Sequence, residues 1–583
     1  MQQHEARPTA VIRNPALPGF HPDPSMVYVD GEFVVANSTF EWCPGVRLHR
    51  SRDLAHWEVL GGALTQDRLL DLTGTPDSAG VWAPNLTYVD GRFHLLYSNI
   101  STYAGGFTDC PNYLTTAASI EGPWSDPVLV HARGFDASLF HDGESSWLIN
   151  LVHDWRPGHG GSAGLEATPF DRATQRPAGE SVRIVLPPQA GWIEGPNLYR
   201  RGDWYYLVTA DGGTGYEHRV TVARSRALTG PYERDAHGPL ITAMHDPDLP
   251  LQKAGHGSLV EAEDGEWYLA YLVARPTGRR GPCVLGRETA LARVEWTADG
   301  WPRVEGGRPE LTLRGVAVRG KQGIDTSPGV GENVGAEGDS DVAAVVDGFD
   351  GAELGGDWST LRRHAAADWV SLTERPSHLR LRGGRSPRSL VGPSLVARRV
   401  TAPRCSFEAT LEYRPLAFQH LAGITAYYNT QNWYFLHLTQ DDEGRTALRV
   451  AGSDRGVLFV DEDGQYVVEG GDGGPARLEL GLDLDGARLR FRYRDGGAGD
   501  TADPADDGWR PIGGDYDATV LSDEHAEDMV NGQIRSLGFT GAFLGLWAWD
   551  LNGHGYAADF DEARYRVRAE DAAHVESVEG AEG

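Results

Sequence analysis

DGEFVVANS from Asp30, DGRFHLLYS from Asp90, DGESSWLINL from Asp142, RGDWYYLVTA from Arg201 and DGEWYLAYL from Asp264 are five versions of one phrase, a tight-turn pair followed by an aromatic or β-branched run. Asp-Gly between two apolar runs is a strong hairpin signal, because both residues tolerate the positive φ that a two-residue turn demands. The phrases recur about every 50 to 65 residues, as wide as a four-stranded blade with long loops. Helical periodicity is nearly absent around them, so the sequence predicts an all-β fold opening with a five-bladed β-propeller over residues 11–318. A plain β-sandwich has no need of five equal units.

Past the last phrase, residues 319–345 turn to Gly, Ser, Asp, Glu and Val without periodicity, and a solvated linker is expected there. Alternation then returns in LRLR from Leu379, SFEATLEY from Ser406, WYFLHL from Trp433 and ARLRFRYR from Ala487. Period-two patterning over that length predicts a C-terminal β-sandwich at residues 346–568. Residues 569–583 are acidic and rich in Ala and Gly, and a disordered tail is expected.

A chain of 583 residues exceeds what one hydrophobic core usually serves, which agrees with two domains. Its formal charge of −30 excludes polyanionic partners, since nucleic-acid binding draws its affinity from clustered Lys and Arg. A neutral sugar is compatible. No apolar run approaches the roughly 20 residues that cross a bilayer, and the N-terminal residues carry no basic segment followed by an apolar one, so a cytoplasmic location is expected. Cys43, Cys110, Cys283 and Cys405 stand apart with no paired spacing, which reads as free thiols rather than a zinc site.

The innermost strand of a propeller blade lines the central channel, so the start of that strand faces whatever binds there. About seven residues before each turn pair stand Asp23, the segment Trp82-Ala83-Pro84-Asn85, Asp136, Glu194 and His256. Carboxylates in loops are usually turn-formers or caps. Three in equivalent places on different blades point instead to one channel mouth. Glycosidic cleavage uses one carboxylic acid to protonate the leaving oxygen and one carboxylate to activate water. A third can hold the acid protonated, because like charges held close resist ionising together. Phe40, Trp42 and Trp82 are candidate sugar-facing aromatics; for Trp42, blade packing stands level with that reading.

These residues lie in FHPDPS, NSTFEWCPGVRLHRSRDLAHW, WAPNLTY, FDASLF, EGPNLY, GHGS and LGRET, which in this order resemble the β-xylosidases of glycoside hydrolase family 43 that carry a C-terminal sandwich. The resemblance continues through SLTERPSHLRLRG, SLVARR, AGITAYYNTQNWYFLHL, GFTGAFLGL and ADFDEARY. It implies a five-bladed propeller followed by a jelly-roll or concanavalin-like sandwich, single-displacement inversion, and exo-action on β-1,4-xylo-oligosaccharides with α-L-arabinofuranosidase activity beside it. Position by position, it makes Asp23 the general base, Glu194 the general acid and Asp136 the modulator of that acid. Arg287, on residue type alone a structural ion pair, resembles the arginine that binds sugar hydroxyls. His256 resembles the histidine beneath the sugar, next to a structural channel calcium; no organic cofactor is implied. Phe539 resembles a sandwich residue that closes the sugar pocket. A homo-oligomer, dimer or tetramer, fits the resemblance.

The chain departs from the family pattern in places. Asn85, Asn197 and Ser258 stand where WAPH, EGPH and GHGD are common, and the usual Trp-Asp-His-Arg-Pro-Gly-His reads His153-Asp154-Trp155-Arg156-Pro157-Gly158-His159. Three rival readings bound the expectation. A β-fructosidase shares the domain plan but opens on a WMNDPNG-like motif and carries Arg-Asp-Pro and Glu-Cys motifs, none of which occurs here. A predominantly α-L-arabinofuranosidase activity would keep all the acids. A non-catalytic sugar-binding propeller would use them only to hold hydroxyls.

Overall fold

In the computed structural model, which describes residues 9–104, 107–156, 159, 161–186, 192–317, 342–468, 474–495, 508–530 and 533–568, each phrase forms the first hairpin of a blade. The turn chemistry is visible at Asp30-Gly31 and Asp90-Gly91, where both residues take positive φ (52° and 88°, 53° and 71°) between strands Ser25–Val29 and Glu32–Asn37, and Gly80–Val89 and Arg92–Ile100. At the third repeat the turn falls one residue later, so that Asp142 pairs with Ser145. The fifth repeat has a longer loop, between Gln252–Glu261 and Trp267–Ala274.

The five hairpins grow into five antiparallel sheets of four or five strands. Middle strands are buried on both faces, sandwiched between neighbouring blades, which is why Trp267–Ala274 reads WYLAYLVA without polar alternation. The ring is closed by Thr9–Arg13, which pairs with Thr312–Ala317. Asn14 locks this clasp: its amide donates to the carbonyls of Leu291 and Glu310, and its Oδ1 accepts from the Leu291 N–H.

The C-terminal part is a sandwich of two eight-stranded sheets around a core that includes Phe407, Leu411, Ile424, Leu436, Leu480 and Phe560. The segment expected as linker up to 345 gives way sooner. Val342–Asp347 is already a strand, paired with Ala557–Arg568, because VAAVV is an apolar, β-branched run that the glycine-rich composition upstream obscures. The expected tail at 569–583 lies outside the described residues.

Propeller and sandwich are joined by backbone and by core. Trp42–Cys43, in a loop of the first blade, adds as an edge strand to a sandwich sheet beside Ser359–Leu361. Trp42 stacks on Phe543 at 3.8 Å and 14°, within a shared apolar cluster that includes Phe20, Phe40 and Trp547. Beside it, the fully buried Arg362 of the sandwich donates to Asp77 Oδ1 (2.6 Å) and to the Thr75 carbonyl (2.6 Å) of the propeller. All four cysteines are buried and unbridged. Among the described residues no helix is long and apolar enough to cross a membrane.

Candidate active site

Asp23, Asp136 and His256 occupy equivalent places on the innermost strands of blades one, three and five, two residues ahead of Ser25–Val29, two ahead of Ser138–Asp142 and within Gln252–Glu261, with left-handed φ of 51°, 54° and 44°. Ala83 (24°) and Gly195 (56°) take the same place in blades two and four. This backbone kink, uncommon for residues other than glycine, turns each side chain toward the channel mouth. Glu194 precedes the shared position by one residue. Its strand is bulged between Glu194 and Asn197, which lets that carboxyl reach the same space. At Gly195 a side chain would meet the His256 ring at 3.0 Å, so it is close approach that favours glycine here, since other residues take the same φ in the other blades.

Eight of the nine residues singled out in the sequence, Asp23, Phe40, Trp82, Asp136, Glu194, His256, Arg287 and Phe539, line one cavity of about 570 Å³. Asp23 accepts from the Ser38 hydroxyl (2.7 Å) and from Arg287 Nη1 (3.3 Å), and lies 3.8 Å from His256 Nδ1. Burial works to raise its carboxyl, but Arg287, His256 and the Ser38 hydroxyl overcome that and hold it below its ordinary value. Glu194 is pushed the other way, to about 7: enclosure raises it against a 2.6 Å bond from the Trp192 indole, and the charges of Asp23 and Asp211 add to the rise. Asp136 is also driven well up, by burial first and then by Glu194 and Asp23, while the Gly195 N–H at 3.1 Å opposes. Asp23 is thus kept ionised, and the Asp136–Glu194 pair retains a proton near neutrality.

The aromatic wall holds the arginine. The Arg287 guanidinium lies over the rings of Phe539 (4.8 Å) and Phe40 (5.2 Å), and its Nε and Nη2 donate to the Phe539 carbonyl at 3.2 and 2.9 Å. Trp82 packs on Phe40, Phe135 and Phe539 at 5.4 to 6.1 Å. Trp42 is absent from this wall: it is the interdomain packing residue described above. The reversed segment places His153 on the cavity wall and Trp155 outside it; Pro157 and Gly158 lie outside the described residues.

Some lining residues were not singled out in the sequence. Trp192 was within reach, since it lies two residues before Glu194 and period two puts both on one face. Thr214, which accepts from Arg287 Nη1 at 3.2 Å, sits in a glycine-rich loop with no distinguishing pattern. Lys253 is buried and pairs at 2.5 Å with Glu524 of the sandwich, a meeting that spacing in the sequence cannot foretell.

The residues below the carboxylates do not fit the calcium implied by the resemblance. Two positions beyond each of these left-handed residues stand Ser25, Asn85, Ser138, Asn197 and Ser258, and they link the blades around the channel. Leu86 N–H donates to Ser25 Oγ (2.9 Å), Leu139 N–H to Asn85 Oδ1 (2.9 Å) and Ser138 Oγ to the Pro196 carbonyl (2.5 Å). Asn197 Nδ2 donates to the Gly257 carbonyl (3.5 Å), and Met26 N–H to Ser258 Oγ (3.1 Å). Across the ring, Asn85 Nδ2 donates to Asn197 Oδ1 (3.2 Å). The side chains that face this space are amides and hydroxyls already bonded to the protein, whereas calcium takes six to eight oxygens, with carboxylates prominent among them. Among the described residues no three His, Cys, Asp or Glu side chains group to hold a metal ion.

Comparison with known proteins agrees with this geometry. The profile of a family described as Glycosyl hydrolases family 43 matches residues 12–302, and that of a Beta xylosidase C-terminal Concanavalin A-like domain matches residues 346–566. The chain is 36% identical to a Beta-xylosidase of Bacillus subtilis (strain 168), over 96% of this chain and 100% of the relative. It is 37% identical to Xylosidase/arabinosidase 43B of Humicola insolens, over 95% and 97%. Among solved structures, the xylan β-1,4-xylosidase from Bacillus halodurans C-125 superposes with a TM-score of 0.86 at 40% identity, over 95% of this chain and 100% of that one.

Proposed function

This chain belongs to glycosyl hydrolase family 43, and on that premise we propose that it is an exo-acting, inverting β-xylosidase that releases xylose from the non-reducing ends of β-1,4-xylo-oligosaccharides. The observation that carries the reading is the opposed tuning of two carboxyls in one cavity, Asp23 held ionised by Arg287 and Glu194 held protonated to about 7. That is the state inversion requires at the start of a turnover. Glu194 gives its proton to the departing glycosidic oxygen while Asp23 draws a proton from a water attacking the anomeric carbon from the opposite face. The C–O bond breaks as the new one forms, and the two carboxyls exchange protonation states. Asp136 holds the Gly195 backbone by accepting its N–H, and shares with Glu194 the proton that the buried pair retains. Arg287, fixed between two rings and the Phe539 carbonyl, is placed to bind sugar hydroxyls, with Phe40, Trp82 and Phe539 enclosing the ring. No step runs through a metal ion.

Exo-action is supported by Arg287, His256 and Phe539, which bound the cavity and leave room for one sugar beyond the bond cleaved. Activity on α-L-arabinofuranosides belongs to the same reading, as one relative is named for both sugars. The four buried cysteines, none in a disulfide, support a cytoplasmic location, and we include a dimeric or tetrameric assembly in the proposal. A screen of the purified protein on aryl xylosides, aryl arabinofuranosides, xylobiose and xylan tests the class and the sugar together. Xylobiose is expected to be a good substrate and xylan a poor one. Proton NMR should show α-xylose first from a β-xyloside; β-xylose appearing first would remove single displacement and with it the role of Asp23.

A further inference from the structure

Phe107 and Trp155 are large aromatic side chains left 63% and 56% exposed, and they stack on each other at 5.2 Å and 24°. They come from different blades, Phe107 from the loop before Asn112–Ala117 and Trp155 from the residue after Ser145–Asp154. Exposed aromatic surface of this size on a folded protein marks a contact site. Here the contact is continuous with the catalytic cavity, because Thr108, next to Phe107, and His153, two residues before Trp155, both line it.

The pair also stands on a defined side of the scissile bond. The strand that follows Trp155 begins at Gly161, where a side chain would meet the Trp192 ring at 2.7 Å, and Trp192 in turn donates to Glu194. Asp154 pairs with Gly161, so Trp155 beside it is a neighbour of the general acid, on the side where the leaving group departs. Trp155 is held ready there. Asp154, buried just before it, accepts two bonds from the Arg156 guanidinium (2.8 and 2.6 Å) and one from the Arg156 N–H (3.1 Å), and lies 3.2 Å from His159. A fork-shaped clamp of this kind removes conformational freedom before a ligand arrives.

Resting on the glycosidase reading above, we propose that Phe107 and Trp155 form a platform for the leaving group, against which the second sugar beyond the scissile bond packs the C–H face of its pyranose ring. The occupant is the distal part of a β-1,4-xylo-oligosaccharide of three or more units. An aromatic face offers such a ring apolar area without demanding particular hydroxyls, which suits a chain of repeating sugars.

The test compares kcat/KM for a nitrophenyl xyloside, xylobiose, xylotriose and xylotetraose in the unaltered enzyme, Phe107→Ala, Trp155→Ala and Trp155→Phe. The two alanine variants should keep their rates on the nitrophenyl xyloside and xylobiose and lose about 3- to 10-fold on the longer pair, mostly through KM, the size expected for one aromatic contact. Trp155→Phe should restore most of the loss. Equal losses on all four substrates would mean that the pair only supports the cavity wall, and unchanged rates on xylotriose and xylotetraose would mean that it binds no sugar; either result overturns the platform. So would a Trp155→Ala protein that sediments as a smaller species while keeping its preference for longer chains, since the pair would then be a contact between copies. Absence of turnover by the unaltered enzyme on every substrate is a separate outcome. It would bring down the glycosidase reading itself, and the platform with it.

Discussion

Asp23 and Glu194 carry the same functional group in the same cavity, yet their surroundings move their protons in opposite directions, and this fixes how each responds to substitution and to pH. A base that activates water is needed whatever group departs, so Asp23→Ala should lose nearly all turnover on every substrate. An acid matters less when the leaving group is weakly basic. Glu194→Ala should therefore lose on the order of 10² to 10⁴-fold on xylobiose and far less on a nitrophenyl xyloside. If both variants show the same dependence on leaving group, the two roles have no support. Turnover needs Glu194 protonated, so it should fall as pH rises through about 7. It needs Asp23 ionised, so the acidic limb should lie below the ordinary carboxylate range. Asp136 and Glu194 titrate as a buried pair in which the charge of Glu194 drives the Asp136 carboxyl up, so Asp136→Asn, which leaves Glu194 to titrate alone, should shift the alkaline limb. That the three carboxyls share one site was legible in their spacing before each turn pair. Their opposed tuning was not, because it comes from the enclosure of Glu194 and from Arg287 and Ser38 beside Asp23, which exist only after folding.

At the scale of the strand, the same repeat explains what could and could not be read. Five turn pairs announce five hairpins, and strand starts follow by counting back. The bulge that lets Glu194 lead Gly195 by one residue left no mark in the sequence beyond the glycine itself. The ring of Ser25, Asn85, Ser138, Asn197 and Ser258 also follows from the repeat, since each lies two residues past Asp23, Ala83, Asp136, Gly195 or His256. It was obscured because three of its members replace residues associated with a metal. With the hydrogen bonds of this ring made within the protein, we propose that the channel keeps its shape without an ion. Dialysis against a chelator, and then addition of calcium, should leave both the melting temperature and kcat unchanged; a loss reversed by calcium would contradict the ring. Asn85→Ala strands the Leu139 N–H in a buried place and should lower stability by about 1–3 kcal/mol, read from the urea midpoint. An unchanged midpoint would mean that water satisfies this group.

Taken whole, the molecule has one active site built by two domains, and the domain count was legible from length and from the change of patterning, whereas their joint was not. Trp42 illustrates why: an aromatic in a propeller loop reads equally as sugar wall or packing until the sandwich strand Ser359–Leu361 is found beside it. Because the Phe539 carbonyl receives two bonds from Arg287, a propeller ending near residue 317 should be inactive, and exposure of Phe20, Phe40 and Trp42 should make it poorly soluble. A soluble fragment with full turnover on xylobiose would end the idea of a shared site. Arg362 gives the sharper test, because the chain stays complete. Arg362→Ala leaves Asp77 buried with only Thr430 of the sandwich as a partner, and breaking a buried ion pair from one side costs about 3–5 kcal/mol, so the urea midpoint should drop sharply. The effect should also reach the chemistry. Ser78, next to Asp77, donates to the Leu537 carbonyl (2.9 Å) and accepts from the Phe539 N–H (3.2 Å), so loosening this corner frees the residue that holds Arg287. The expected result is a fall in kcat at temperatures where circular dichroism shows the variant still folded. Loss of stability with kcat intact would mean that the joint merely fastens the domains, and that Phe539 is held in place by its own aromatic neighbours.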